Sequence, residues 1–194
     1  ADEVLWALAW LFAEYGAPLI LKSDNGRAFN AEGVQGLLSE RGVIPLFSRP
    51  YWPRYNGSLE AGIGSMKTRT QRQAALAGRP GEWTWQDTEA ARQEANATAR
   101  PPGESRPTPA EVWQVRLPIR PEERERFVQS VARCRQEVRQ EAGREFEEDA
   151  TGSQEEGAME RKAIQRALVE HGLLFFKRRR IPSPIPRPKV TFFS

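Results

Sequence analysis

The chain has 194 residues, a net charge of +3, 39% hydrophobic and 28% charged side chains, and a mean hydropathy of −0.66. This suits one packed domain with an appendage, and no apolar run approaches the ~20 residues needed to cross a bilayer. One cysteine, Cys134, and one histidine, His171, exclude an internal disulfide framework and a zinc finger of the usual ligand count, and fit a reducing, cytoplasmic compartment.

Val4, Leu8, Leu11 and Tyr15 recur at helical spacing, and Gly16 and Pro18 stop that helix. Leu19-Ile20-Leu21 is a short apolar strand that delivers the turn Lys22-Ser23-Asp24-Asn25-Gly26. Val34, Leu37 and Leu38 predict a helix over 31–41, stopped by Gly42. Val43 to Phe47 reads as a second strand, at an edge or irregular because Pro45 has no N–H to donate. This strand–helix–strand unit is parallel, with a right-handed crossover. Residues 48–57 form a loop of breakers and aromatics.

Helices are expected over 58–77 and 84–99, the second capped by Thr84. Trp83 and Trp85 read as core. Thr108-Pro109-Ala110-Glu111 begins a short helical turn with proline at its first position. Residues 121–149 are a charged helix with Phe127, Val131, Cys134 and Val138 on one face. A Gly/Ser/Glu linker over 150–158 and a short helix over 160–171 follow, then a basic, proline-rich extended stretch from Lys177 to Lys189. Charge is uneven: residues 160–194 carry nine basic and two acidic side chains. A basic tail after a near-neutral core suits a phosphate-rich partner, or is simply a solvated terminus.

Asp24 and Glu60 are separated by 35 residues, within Ser23-Asp24-Asn25-Gly26-Arg27-Ala28-Phe29 and, after Pro53, Asn56-Gly57-Ser58-Leu59-Glu60. Lys67 follows two helical turns beyond Glu60, and Asn96, Arg100-Pro101 and Thr108-Pro109-Ala110-Glu111 lie downstream. In this order and spacing the residues resemble the DDE-type catalytic core of integrases and transposases, over residues 1 to about 113. Each piece has a plainer reading alone: Asp-Asn-Gly as a turn, Glu60 as a first-turn acid at the helix dipole, Lys67 and Arg69 as a solvated face.

The resemblance implies an α/β chain: a partial ribonuclease-H-like fold lacking its first three strands, with a helical and extended C-terminal region. It divides the chain into a partial core (1–113), a charged helical region and linker (114–159) and a basic tail (160–194). It implies DNA integration or transposition, with Asp24 and Glu60 as catalytic ligands of Mg2+ or Mn2+, whose hard character suits carboxylate oxygens. It also implies DNA as partner, contacted by Asn56, Lys67, Arg69 and Arg72, while the charge of the basic tail adds Lys177, Arg178, Arg179 and Arg180 as expected DNA contacts. The family's first aspartate lies on a strand well upstream of the second. Only 21 residues separate Asp2 from Asp24, filled by one helix and one strand, so the expectation is a core truncated at its N-terminus.

Two functional alternatives remain beside a working recombinase core: an inactive remnant that only binds DNA, and a protein-interaction module resting on the amphipathic 121–149 helix. With no strand expected on the side of 19–23 away from 43–47, that free edge and Trp6, Trp10 and Phe12 predict self-association into a homo-oligomer.

Overall fold

The computed structural model describes residues 1–49, 57–100, 105–143 and 154–176. The elements in chain order are α1 (Asp2–Tyr15), β1 (Ile20–Ser23), α2 (Glu32–Glu40), β2 (Ile44–Phe47), α3 (Gly57–Leu76), α4 (Trp85–Thr98), α5 (Pro109–Gln114), α6 (Pro121–Glu141) and α7 (Gln154–Glu170). The helix and strand boundaries read from the sequence hold within a residue or two up to α5. Beyond it, α7 starts at Gln154, inside the stretch read as linker, and residues 144–153 and 177–194 lie outside the described residues.

Helix dominates, and the expectation of an α/β, ribonuclease-H-like fold is corrected. Among the described residues the sheet consists of two four-residue strands, β1 and β2, paired in parallel from Ile20 opposite Ile44 to Ser23 opposite Phe47. The sequence pattern of strands alternating with helices is real, but it is confined to residues 19–47. Every described element after β2 is a helix, because its apolar residues recur at the helical period rather than in strand-length runs.

A parallel strand pair is stable when both faces are covered. On one face α1 and α2 bury Leu8, Phe12, Val34 and Leu38 around Val43, with Leu21 against them. On the other, α6 contributes Phe127, Val131, Cys134 and Val138 and α7 contributes Ala163, Ile164 and Ala167, packed on Ile44 with Leu19, Ile20 and Leu46 at the margin. The apolar face of α6 read from the sequence is therefore used inside the chain. The covering of one sheet face by α6 and α7 is the feature the sequence pattern did not announce. Both outer edges of the sheet remain without a neighbouring strand among the described residues.

Arg124 fastens α6 to the sheet. Its guanidinium donates to the carbonyls of Pro18 (2.7 Å) and Gly42 (3.2 Å) and to that of Ala17, three acceptors at the entrances to β1 and β2. Gly42 has φ of +59°, and a β-carbon there would stand 2.9 Å from Cδ of Arg124, so the helix stop and the arginine's path depend on the same glycine. Burial pushes the Arg124 pKa down.

The charged faces of α6 and α7 pair with each other. Arg135 meets Glu160 (2.8 Å), Arg133 meets Glu170 (2.6 Å), Arg166 meets Glu137 (3.3 Å) and Glu141 (2.8 Å), and Lys162 meets Glu141 (2.9 Å). Hydrogen bonds from Arg166 and Lys162 hold the Glu141 carboxyl at about 2.

Elsewhere α3 and α4 pack side by side, burying Thr70 and Ala74 of α3 and Ala91 of α4. The Asp87 carboxylate accepts from the backbone N–H (2.7 Å) and hydroxyl (2.9 Å) of Thr84, the predicted cap. Trp83 and Trp85 flank that cap on the surface, 59% and 71% exposed, which corrects their reading as core. Thr108 and Glu111 form a reciprocal capping box at the start of α5, through Glu111 N–H to Thr108 Oγ1 (3.3 Å) and Thr108 N–H to Glu111 Oε2 (2.7 Å). Trp113 of α5 meets Tyr15 of α1 edge to face at 5.8 Å. No helix among the described residues is long and apolar enough to span a membrane.

Phe127 is the largest fully buried side chain among the described residues. Phe127→Ala is expected to destabilise the chain by about 3–5 kcal/mol, read from chemical denaturation. The ion pairs predict a pH dependence. The folded Glu141 value of about 2 lies below the ordinary 4.5, so its contribution is complete above pH 4.5 and lost as pH falls toward 2. The melting temperature should drop across that window, and Glu141→Gln should flatten the drop.

Candidate active site and nucleic-acid interface

Asp24 stands directly after β1, at the carboxyl end of the parallel pair, where active groups of open α/β units gather. Local hydrogen bonds hold it there. Asp24 Oδ1 accepts from the Gly26 N–H at 2.9 Å, closing an Asx turn. A β-carbon on Gly26 would lie 2.8 Å from that oxygen, so a larger residue there would displace the carboxylate. Asn25 donates through Nδ2 to the Ser48 carbonyl (2.9 Å), and Ser48 donates through Oγ to the Ser23 carbonyl (2.8 Å), tying the ends of both strands together. Asn30 closes the back of the turn by donating to the carbonyls of Asn25 (3.2 Å) and Gly26 (3.3 Å). The Asp24 side chain is exposed at the surface of this fixed turn.

Glu60 lies in the first turn of α3, exposed, with no hydrogen bond or ion pair among the described residues. Residues 50–56, which join β2 to α3 and include Asn56, lie outside the described residues, as do Lys177, Arg178, Arg179 and Arg180. Asp24 and Glu60 both offer hard oxygen donors of the type Mg2+ and Mn2+ take. Neither belongs to a cluster of three or more potential ligand side chains among the described residues.

Such a cluster occurs elsewhere, at Cys134, Glu137 and Glu170. Its chemistry is that of an ion-pair network. Arg133 and Arg166 neutralise the two carboxylates, and burial pushes the Cys134 thiol up, with the charge of Glu170 adding to it.

The basic residues of α3 divide into two sets. Arg69 and Arg72 both donate to Glu94 Oε1 of α4, at 2.8 Å and 2.7 Å, while Gln73 donates to Glu94 Oε2 at 2.7 Å. Burial pushes the Glu94 carboxyl up, but the hydrogen bond from Gln73 and the Arg72 and Arg69 charges outweigh it and leave the pKa below the usual range. The two arginines thus join α3 to α4. Sequence reading missed Glu94 because its partners lie 25 and 22 positions away on another helix. Lys67 is exposed, without a partner among the described residues, and lines a groove of about 690 Å3 with Leu59, Ile63, Met66 and Trp83.

No protein family and no curated protein matches this chain. Among solved structures, it is similar to a chain in the cryo-electron-microscopy structure of the simian T-cell lymphotropic virus intasome in complex with the PP2A regulatory subunit B56 gamma. The TM-score is 0.52 and the identity 21%, over 60% of this chain and 41% of that one. At that identity the likeness is one of fold, and the chain spans less than half the length of the one it matches.

Glu94→Gln removes the charge that holds Arg69 and Arg72. The variant should bind a short DNA duplex more tightly at low salt and show a salt dependence steeper by about one to two counterions, measured by fluorescence anisotropy. Equal affinity and slope would mean that the two arginines serve the α3–α4 junction alone.

Proposed function

We propose that this chain acts in DNA integration or transposition, as part of a recombinase core that cleaves and joins phosphodiesters. The observation that carries the reading is Asp24, presented on a hydrogen-bonded turn at the carboxyl end of a parallel strand pair, with Glu60 opening the helix that follows β2. The fold likeness to an intasome chain supports it, as do the order and spacing of the motif residues.

In this reading Asp24 and Glu60 hold Mg2+ or Mn2+, their oxygens fitting a hard cation. When bound, the cation supplies positive charge to the attacking and leaving oxygens of a phosphodiester. The chain's own part is to fix one ligand rigidly, through the Gly26, Asn25 and Ser48 hydrogen bonds, and to place the other in a helical first turn. Lys67, two turns beyond Glu60, contributes positive charge toward the DNA backbone, and the six basic residues of 177–194 add sequence-independent affinity.

A second reading, a DNA-binding chain without catalysis, is favoured by one observation. Asp24 and Glu60 have no third ligand clustered with them among the described residues. A carboxylate pair of this kind holds a divalent ion weakly.

Manganese titration and a strand-joining assay separate the two readings. Mn2+ should bind, and Asp24→Asn and Glu60→Gln should each weaken it severalfold; binding indifferent to both substitutions would remove the assigned site. Strand joining by the chain alone should be at or near background. Robust joining that disappears in Glu60→Gln would instead place complete catalysis within these residues and discard the second reading.

A further inference from the structure

The first half of α3 presents an apolar groove that stays open among the described residues. Leu59 and Ile63 are 58% and 47% exposed, and with Met66 they line the groove of about 690 Å3 that Trp83, 59% exposed, walls on one side. The lining runs from Ser58 to Gln71, which is about 20 Å of helix. A groove of that length, apolar along one helix, has the form that receives a second helix. Two glycines lie in the same stretch. Gly62 lines the groove, and a β-carbon on Gly62 or on Gly64 would meet nothing within 4 Å. Glycine inside a helix costs about 1 kcal/mol relative to alanine, and no packing among the described residues accounts for either one. Bare backbone at these positions lets another helix approach closely.

The charges beside the groove decide which helix. Glu60 and Lys67 are exposed, and neither has a partner among the described residues. Two turns apart, they share one flank of α3, on either side of Ile63. The helix is therefore complementary to itself. When two copies of α3 pack antiparallel about a two-fold axis between Ile63 and Gly64, the same flank of each lies on the same side of the contact. Glu60 and Lys67 are equally far from that axis, so Glu60 of one copy faces Lys67 of the other, and the pair is made twice. Lys67 is the one cation that lines the groove, and an apolar lining with one cation favours this occupant over a DNA strand, which several cations hold.

We propose that α3 is a homodimer contact. It packs antiparallel on α3 of a second copy, with Ile63 at the two-fold axis, Gly62 and Gly64 at the crossing, and Glu60 paired with the partner's Lys67. This surface is separate from the strand edge and α1 aromatics expected from the sequence to self-associate. The proposal stands without the functional reading. In the dimer the groups which that reading assigns to metal and DNA face each other, so the dimer is the form of the chain without DNA. One helix pair covers little surface beside the roughly 1,200–2,000 Å2 of a stable interface, so the association is weak and is read by covalent trapping.

Cys134 is buried, which leaves an introduced thiol as the reactive one. The full chain carrying Ile63→Cys, exposed to oxidised glutathione, should form a disulfide-linked dimer at least about tenfold faster than the chain carrying Gln71→Cys, whose thiols stand roughly 20 Å apart in the proposed dimer. In the Ile63→Cys background, Glu60→Lys and Lys67→Glu should each slow trapping severalfold. Both together should restore it, because reversing both charges remakes the pair. Equal rates at positions 63 and 71, or no recovery in the double reversal, overturn the proposal. Absence of trapping, with the introduced thiol at position 63 protected from a maleimide by a DNA duplex, gives the groove to DNA and overturns it too. Either failure leaves the functional reading to its own test, manganese binding and strand joining.

Discussion

Two short parallel strands have to be covered on both faces, and the rest of the chain is arranged around that requirement. Parallel strands with apolar residues on both sides, such as Leu21 toward α1 and α2 and Ile20 toward α6 and α7, gain nothing from exposure to water. The first cover is local in sequence, since α1 precedes β1 and α2 lies between the strands. The second comes from helices more than 70 residues beyond β2. Phe127 and Ile164 fill the space over Ile44, and Arg124 ties α6 to three backbone carbonyls that water would otherwise have to satisfy. An arginine in that position serves through its geometry, because a planar guanidinium reaches several acceptors at once.

The same economy governs charge. The chain is rich in arginine and glutamate, yet most of the described pairs cross between helices: Arg69 and Arg72 to Glu94, Arg135 to Glu160, and Arg166 to Glu137 and Glu141. Exposed ion pairs of this kind each contribute little. Their larger effect is on what remains. Lys67 on α3 and Arg161 on α7 are left facing grooves, without a partner among the described residues. Net charge alone, at +3, would not have located them.

The region around Asp24 shows how much of a site local sequence can encode. Ser23, Asn25, Gly26 and Asn30 supply every side chain or small residue of the turn, and only Ser48 arrives from the second strand. Gly26 was legible as a turn glycine, but the reason for it, the close approach of the Asp24 carboxylate, appears only in three dimensions. Glu60 was legible from its spacing to Asp24 and its place at a helix start. Its lack of partners among the described residues follows from the surface position of the first turns of α3.

The sequence by itself determined what depends on neighbours a few positions apart. It determined the strand–helix–strand unit over 19–47, the cap at Thr84, the proline-led turn at 108–111, the stop at Gly42 and the apolar face of α6, because propensity, capping and periodicity act within one or two helical turns. Tertiary structure decided whatever needs a partner far along the chain. It set the dominance of helix over sheet, the exposure of Trp83 and Trp85, the use of Arg69 and Arg72 to hold Glu94, and the closure of one sheet face by α6 and α7. The amphipathic pattern of α6 states that its face will be buried but not against what. Any apolar surface of fitting shape satisfies the hydrophobic effect, and only the folded chain brings Ile20, Ile44 and Leu46 to that face.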